Sequence, residues 1–201
     1  MDAHFTELIT KGAVAFFLRI GGAGLAFLFA VYLARLLGTT DYGLFMLSLT
    51  VVTILSMGVR LGLDMVLVRH ISAAVEHGNF PLAKGYFQTA IRLVLVVGIV
   101  VTLLGVLLSP MIAITIFGKP GLAQPLKGMV WLLLPFSLAF LVAEALKGLK
   151  QVADSTIIQT ILIPGLSIVA LVVSARWVDW SLTGVIAVYV SSVIIAALYG
   201  W

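Results

Sequence analysis

Cysteine is absent from the 201 residues, and charged side chains are scarce. The lack of cysteine excludes disulfides, cysteine-ligated zinc, iron–sulfur clusters and a cysteine nucleophile. Only 10% of the residues are charged, whereas a soluble domain, whose surface must be wetted, carries roughly 25%. Hydrophobic residues make up 62% of the chain, and the mean hydropathy is +1.23. Most of the surface is therefore expected to face lipid.

The chain also lacks the patterns of several other protein classes. Its net charge is +4, but the basic residues stand singly between apolar runs, so no nucleic-acid binding is expected. A cleavable signal peptide is not predicted, because Asp2 and Glu7 precede the first basic residue and the apolar run that follows is too long. No phosphate-binding glycine loop, nucleophile elbow or pair of catalytic carboxylates is visible. We therefore predict neither an enzyme nor a cofactor.

Six apolar segments are long enough to cross a bilayer, which takes about 20 residues. They are continuous and about twice as long as the alternating strands of a membrane barrel. The sequence therefore predicts an all-α integral membrane protein, a single bundle of six transmembrane helices near residues 13–37, 42–68, 86–108, 129–146, 155–175 and 181–201. The last segment is still apolar at Trp201, so we expect the chain to be the N-terminal part of a longer protein.

The segments are bounded by turn-forming and polar residues. A turn is predicted at 38–41 and a polar connector at 69–85. Ser109-Pro110 is expected to stop the third helix, with 111–117 either continuing it or lying at the interface. Kinks are expected at Pro135 and Pro164, and interfacial tryptophans in the connector 176–180.

Arg19 lies within the first predicted helix. An ionisable group in a span is costly and is a functional-site hypothesis by default. On a helix of 3.6 residues per turn, its face also carries the small residues Gly22, Ala23, Ala26 and Ala30. Another helix or a cavity can approach such a face closely. The alternative is that Arg19 snorkels to the cytoplasmic interface.

Arg60 and Asp64 lie deeper, in the second predicted helix. Their spacing of four residues places them on one face, where they can pair. Thr53 and Ser56 extend the same stripe, which favours a polar cavity over a self-neutralised structural pair between helices.

Two further sets of polar residues are weaker candidates. Glu144 is followed by Lys147, a spacing typical of an interfacial ion pair, although Glu144 is also a possible proton or cation coupling site. His70, Glu76 and His77 lie in the polar connector, but they lack a tight ligand spacing, so no metal site is predicted.

Two stretches resemble a known family. Residues 33–45, LARLLGTTDYGLF, resemble the LAR-x-LG-x-x-x-YG-x-F signature of polysaccharide-biosynthesis membrane proteins, the O-antigen flippase group. Residues 62–71, GLDMVLVRHI, resemble the end of that family's second helix. The motif-level resemblance covers roughly residues 10–90, and Thr39 stands where many members have proline. The group belongs to the multidrug/oligosaccharidyl-lipid/polysaccharide exporter superfamily.

The resemblance implies a fold of two six-helix lobes around a central cavity, of which this chain would be the N-terminal lobe. It implies a bacterial plasma-membrane protein with a cytoplasmic N-terminus, which the distribution of Lys and Arg, five against four, does not decide. It further implies a flippase that moves undecaprenyl-diphosphate-linked oligosaccharide across the membrane by alternating access. Arg19 and Arg60 would bind the diphosphate, because guanidinium groups suit phosphate oxygens.

Other functions remain open at this stage. A cation-coupled multidrug exporter of the same superfamily needs acidic residues deep in the cavity, where only Asp64 is a candidate. A non-transporting membrane assembly subunit is the other alternative. An intramembrane glycosyltransferase is disfavoured, because the longest predicted connector has about 17 residues. The expected partners are the lipid-linked oligosaccharide, membrane lipid and a missing C-terminal lobe or second subunit.

Overall fold

The computed structural model describes residues 2–174 and 181–199, with the backbone alone for 2–11 and 174. The described chain is helical and contains no strand. Eight α-helices follow one another: α1 Asp2–Arg60, α2 Leu63–Glu76, α3 Phe80–Met111, α4 Ala123–Val130, α5 Leu133–Gly148, α6 Val152–Thr156, α7 Ile163–Ser174 and α8 Leu182–Tyr199. Two π-helical stretches, Ile112–Ile116 and Ile157–Leu162, and a 3₁₀ turn, Pro120–Leu122, connect them.

Helix α1 folds back on itself at Gly38. Phe29 and Phe45 are 16 positions apart, which is about 24 Å along a straight helix, yet their ring centroids are 6.4 Å apart. Gly38 has φ 74° and ψ 172°, a combination open almost only to glycine. The predicted turn at 38–41 is thus confined to one residue. We call residues 2–37 the first arm and residues 39–60 the second arm.

The second predicted helix differs from the structure at its end. The chain leaves helical geometry at Leu61 and Gly62, both with positive φ, and α2 then continues to Glu76. The expected polar connector at 69–85 is therefore mostly helical, with only residues 77–79 between α2 and α3. The many polar residues of this segment made it look like a connector, but α2 also has an apolar face that is buried in the bundle. That face consists of Leu67, Ile71 and Ala74.

Proline does not end the third helix, contrary to expectation. Pro110 lies inside α3, and a proline at this position deprives the carbonyl of Val106 of its usual N–H donor. The hydroxyl of Ser109 donates to that carbonyl at 2.9 Å. The freed backbone group is thereby satisfied, and the helix passes through Pro110 into the π-helical stretch Ile112–Ile116.

The two expected proline distortions occur just before each proline. Helices α4 and α5 are inclined by 48° across residues 131–132, and Pro135 removes the N–H that would bond the carbonyl of Trp131. Pro164 likewise follows the π-helical stretch Ile157–Leu162, where the usual hydrogen-bond register is lost. Both breaks are therefore consequences of the missing proline N–H.

Several helices are long and apolar enough to cross a membrane. Among the described residues there are four, and a fifth if the bent pair counts as one span: Gly12–Arg60, Phe80–Ile116, Val152–Val173, Leu182–Tyr199, and Pro120–Val130 with Leu133–Gly148. The predicted interfacial residues 176–180 lie outside the described residues. Helix α5 lies at the centre, packed against α1, α2, α3 and α8. The chain is thus a multi-pass membrane protein.

Candidate functional site

Arg60 ends the second arm of α1 and is only 6% exposed. One guanidinium nitrogen, Nη1, lies 2.9 Å from the carboxylate of Asp64. Its Nε donates to the backbone carbonyl of Ser56 at 3.3 Å. The guanidinium carbon lies 4.7 Å from the centre of the Phe140 ring on α5. A carboxylate, a carbonyl and an aromatic face therefore hold a charged group inside the bundle.

Asp64 meets Arg60 across the break in the helix. The two residues keep the i, i+4 relation although Leu61 and Gly62 between them have positive φ. Only one carboxylate oxygen contacts Arg60, and the other, Oδ1, is buried without a hydrogen-bond partner in the described part of the chain. One of the two carboxylate oxygens therefore lacks a hydrogen-bond donor, so the surrounding side chains do not fully compensate this ion pair.

The two hydroxyls of the expected polar stripe bond to their own helix. Thr53 donates to the carbonyl of Leu49 at 2.8 Å, and Ser56 donates to that of Thr53 at 2.8 Å. Ser56 is fully buried. Neither hydroxyl therefore offers a donor to a ligand in this conformation, and the polar character of the stripe rests on Arg60 and Asp64.

A cavity of about 410 Å³ lies between the two arms of α1 and the helices α5, α7 and α8. Arg19 and three of the small residues predicted on its face, Gly22, Ala23 and Ala26, line it, whereas Ala30 is not among the lining residues. At Gly22 the first arm touches the π-helical stretch, where an added Cβ would lie 2.7 Å from the Cβ of Thr160. The small face thus serves both a cavity and a close helix contact.

Phe140 connects this cavity to the buried ion pair. It lines the cavity near Arg19 and also contacts the guanidinium of Arg60. Gln159, from the π-helical stretch, lines the same cavity and donates to Glu144 at 2.9 Å. Phe140 therefore contacts both the guanidinium of Arg60 and the cavity that Arg19 and Gln159 line.

Glu144 forms the expected ion pair with Lys147. The carboxylate also accepts the hydrogen bond from Gln159, and its side chain is 16% exposed. Glu144 and Lys147 are close enough for their charges to act on Asp64. Four ionisable side chains from α1, α2 and α5 thus form one cluster, which we define as Arg60, Asp64, Glu144 and Lys147.

The histidines of the former connector lie apart from this cluster. The ring of His70 lies 5.0 Å from that of Tyr86, and Nδ1 of His77 lies 2.8 Å from the carbonyl of Ala73. Glu76 pairs with Lys150 at 3.5 Å. No three potential metal ligands come together in the part of the chain that the structure describes.

Sequence reasoning missed three residues of the site. Gln159 is an amide within an apolar span, so the rule that singled out Arg19 would have found it. Phe140 and Tyr189 carry no such signal. Tyr189 closes the cavity against two aromatic rings of α1, at centroid distances of 5.7 Å from Phe29 and 5.5 Å from Phe45.

Comparison with known proteins supports the motif at 33–45. The profile of the family described as polysaccharide biosynthesis protein matches residues 8–201. Curated proteins and solved structures give no significant match. The family match extends over nearly the whole chain, including all helices from α2 to α8. The chain therefore belongs to the polysaccharide biosynthesis protein family.

Proposed function

We propose that this protein is a flippase lobe that helps move undecaprenyl-diphosphate-linked oligosaccharide across the bacterial plasma membrane for surface polysaccharide synthesis. One observation carries the proposal: Arg60 is a buried guanidinium in a membrane protein, and its only carboxylate partner among the described residues is half satisfied. A permanent charge that is buried within a membrane protein is costly, and such charges commonly mark a substrate or ion pathway. The diphosphate is the part of the substrate that a guanidinium binds best.

The geometry suggests how the site responds to substrate. In the absence of an anion, Asp64 keeps Arg60 charged and oriented. An arriving diphosphate offers several oxygens and competes with Asp64 for the guanidinium fork, which can bind two of them. Arg19, which lines the cavity together with Phe140, supplies a second cation to the same region. The glycan then occupies the cavity while the isoprenoid chain stays in lipid.

We infer six membrane crossings with a cytoplasmic N-terminus. The helical segment Gly12–Arg60 has 49 residues, about 73 Å if straight, which is more than twice the hydrocarbon thickness of about 30 Å. Because it folds back at Gly38, its two arms make two crossings. Alternating access requires a second lobe or second subunit that faces the cavity.

The topology is tested by accessibility labelling. The chain has no native cysteine, so single cysteines at Thr40 and His77, both exposed, report without background. We expect membrane-impermeant maleimide to label position 40 from outside intact cells and position 77 only after permeabilisation. Labelling of both positions from the same side contradicts the six-crossing arrangement.

The substrate role of Arg60 is tested by complementation of surface-glycan export in the full-length protein. We expect Arg60→Ala to abolish export, Arg60→Lys to retain part of it because lysine keeps the charge but lacks the fork, and Asp64→Asn to be milder. The double variant Arg60→Met/Asp64→Leu removes both charges, so it should reach normal membrane abundance and still fail to export. If the double variant exports normally, the pair is structural and the diphosphate role is wrong.

A cation-coupled multidrug exporter remains the alternative, with Glu144 as a coupling site. Glu144 is engaged by Lys147 and Gln159, which disfavours a site that must bind and release a cation. A Glu144→Gln variant that loses proton-driven drug efflux while keeping normal abundance would favour the exporter. Loss of glycan export without any effect on drug efflux supports the flippase. A non-transporting assembly subunit predicts that neither activity depends on Arg60.

A further inference from the structure

A second cavity, of about 400 Å³, lies between α2 and α3. Its walls are mainly apolar and include Leu63, Leu67, Leu82 and Leu93. We call it the α2–α3 groove. The rings of His70 and Tyr86, which touch at a tilt of 37°, line it, and Gly85 contributes a position without a side chain. The groove has the apolar walls that a hydrocarbon chain requires.

Arg92 lies beside this groove on the outer face of α3. It shares that face with Val96, Ile99 and Leu103, at spacings of four, seven and eleven residues, and all four are exposed. An exposed apolar helix face in a membrane protein contacts lipid, so Arg92 projects towards lipid as well. Within the described ranges no carboxylate forms an ion pair with it. Its counter-ion must come from outside this part of the chain.

The position of Arg92 along the helix identifies that counter-ion. Arg92 is six residues beyond Tyr86, or about 9 Å along the axis, and aromatic side chains of this kind mark the membrane interface. A long arginine side chain can cover much of that distance by snorkelling towards the headgroups. Exposed Gln88 and Lys84 continue the stripe at intervals of four residues towards the start of α3. The stripe therefore runs from the apolar middle of α3 towards its polar start.

We propose that the α2–α3 groove binds one anionic phospholipid. An acyl chain lies between the leucines of the two helices, and Arg92 binds the phosphate. Lys84, which lines a separate cavity between α2, α3 and α5, adds positive charge near the start of α3. Exposed Arg69 on α2, next to His70, adds a third positive charge at this end of the bundle. Such a cluster repels the cationic headgroup of a zwitterionic lipid and attracts an anionic one. The site is separate from Arg60 and does not rest on the proposed transport activity.

The test uses the purified 201-residue chain in nanodiscs of equal parts phosphatidylglycerol and phosphatidylcholine, followed by native mass spectrometry of retained lipid. We expect phosphatidylglycerol to be retained preferentially. Arg92→Gln should lower that preference about fivefold, the factor expected for one basic residue near an anionic lipid. Arg35→Gln removes an exposed arginine elsewhere on the bundle and should leave the preference unchanged.

A second variant tests the acyl-chain contact without touching any charge. An added Cβ at Gly85 meets nothing within 4 Å, so Gly85→Leu places a side chain in the groove without a clash and should abolish retention of the bound lipid. Gly24→Leu, also at an open helical position, is the matched control. Equal retention of both lipids by the unsubstituted chain, or a preference that neither Arg92→Gln nor Gly85→Leu alters, overturns the proposal.

Discussion

Arg60 and Arg92 are the same residue type within helical parts of a membrane protein, but Arg60 is buried in the bundle and Arg92 is exposed on its surface. Arg60 is buried, and protein groups supply all its described contacts: a carboxylate, a carbonyl and an aromatic ring. Arg92 is exposed among apolar side chains. The inner charge therefore depends on protein neighbours, whereas the proposed lipid site assigns a phospholipid to the outer one. Position on the helix face, rather than depth alone, decides what a membrane arginine does.

The largest difference is expected for the arginines themselves. Arg60→Met leaves Asp64, whose side chain is 31% exposed, as a half-buried carboxylate without a partner, which should destabilise the protein by about 3 kcal/mol, the lower end of the range for a broken buried ion pair. Arg92→Met replaces an exposed group with an apolar one and should change stability by at most about 0.5 kcal/mol. Thermal unfolding in detergent, followed by size-exclusion chromatography, measures both variants. Equal losses would show that Arg92 is held by protein contacts as well.

Two glycines, Gly148 at a helix contact and Gly85 on the exposed face of α3, extend the comparison between buried and exposed positions. An added Cβ at Gly148 would lie 2.8 Å from the Cβ of Ile71, where α5 meets α2 and Ser72 donates to the carbonyl of Gly148 at 3.1 Å. Gly148→Ala should therefore cost about 2 kcal/mol through overpacking. Gly85→Ala, on the outer side with open space around it, should stabilise α3 by up to about 1 kcal/mol. The same melting experiment applies, and a neutral Gly148→Ala would mean that the two helices can separate freely.

The smallest difference is expected for two glutamines. Gln159 donates to the carboxylate of Glu144 at 2.9 Å, so Gln159→Leu should cost about 1 kcal/mol, a typical value for a hydrogen bond in a membrane protein. Gln88 is exposed on α3, and Gln88→Leu should have an effect within about 0.5 kcal/mol. Gln159 also lines the cavity that Arg19 lines. Gln159→Leu is therefore expected to lower glycan export by more than its small loss of stability would explain. A Gln88→Leu variant with the larger loss would reverse the assignment of inner and outer faces.

Much of the helical character followed from the sequence, because continuous apolar runs of about 20 residues leave few alternatives in a membrane. The boundaries were less predictable. The stretch 69–76 has a polar composition, but it is helical because Ile71 and Ala74 continue the buried face of α2. The mean hydropathy of the segment does not reveal this face. Pro110 was expected to end the third helix, but the helix tolerates it because the hydroxyl of Ser109 donates to the carbonyl of Val106. Both cases depend on single contacts rather than on composition.

The candidate site was only partly predictable for a related reason. Sequence spacing was enough to place Arg60 near Asp64, in spite of the break between them, and to place Arg19 on a small face, because both are local relations. The ring of Phe140 over Arg60 and the amide of Gln159 on Glu144 join segments far apart in the chain. No periodicity within one segment encodes such contacts. The orphaned oxygen of Asp64 is likewise a property of the packed bundle.

The one-residue reversal at Gly38 also bears on how the protein enters the membrane. With only Gly38 outside helical geometry between the two arms, there is no long polar loop to be carried across the bilayer. The neighbouring polar groups are few: Arg35, Thr39, Thr40 and Asp41. The two arms are therefore suited to insert together, as a preformed helical hairpin. Biogenesis of the whole bundle can then start from a unit that already contains both Arg19 and Arg60.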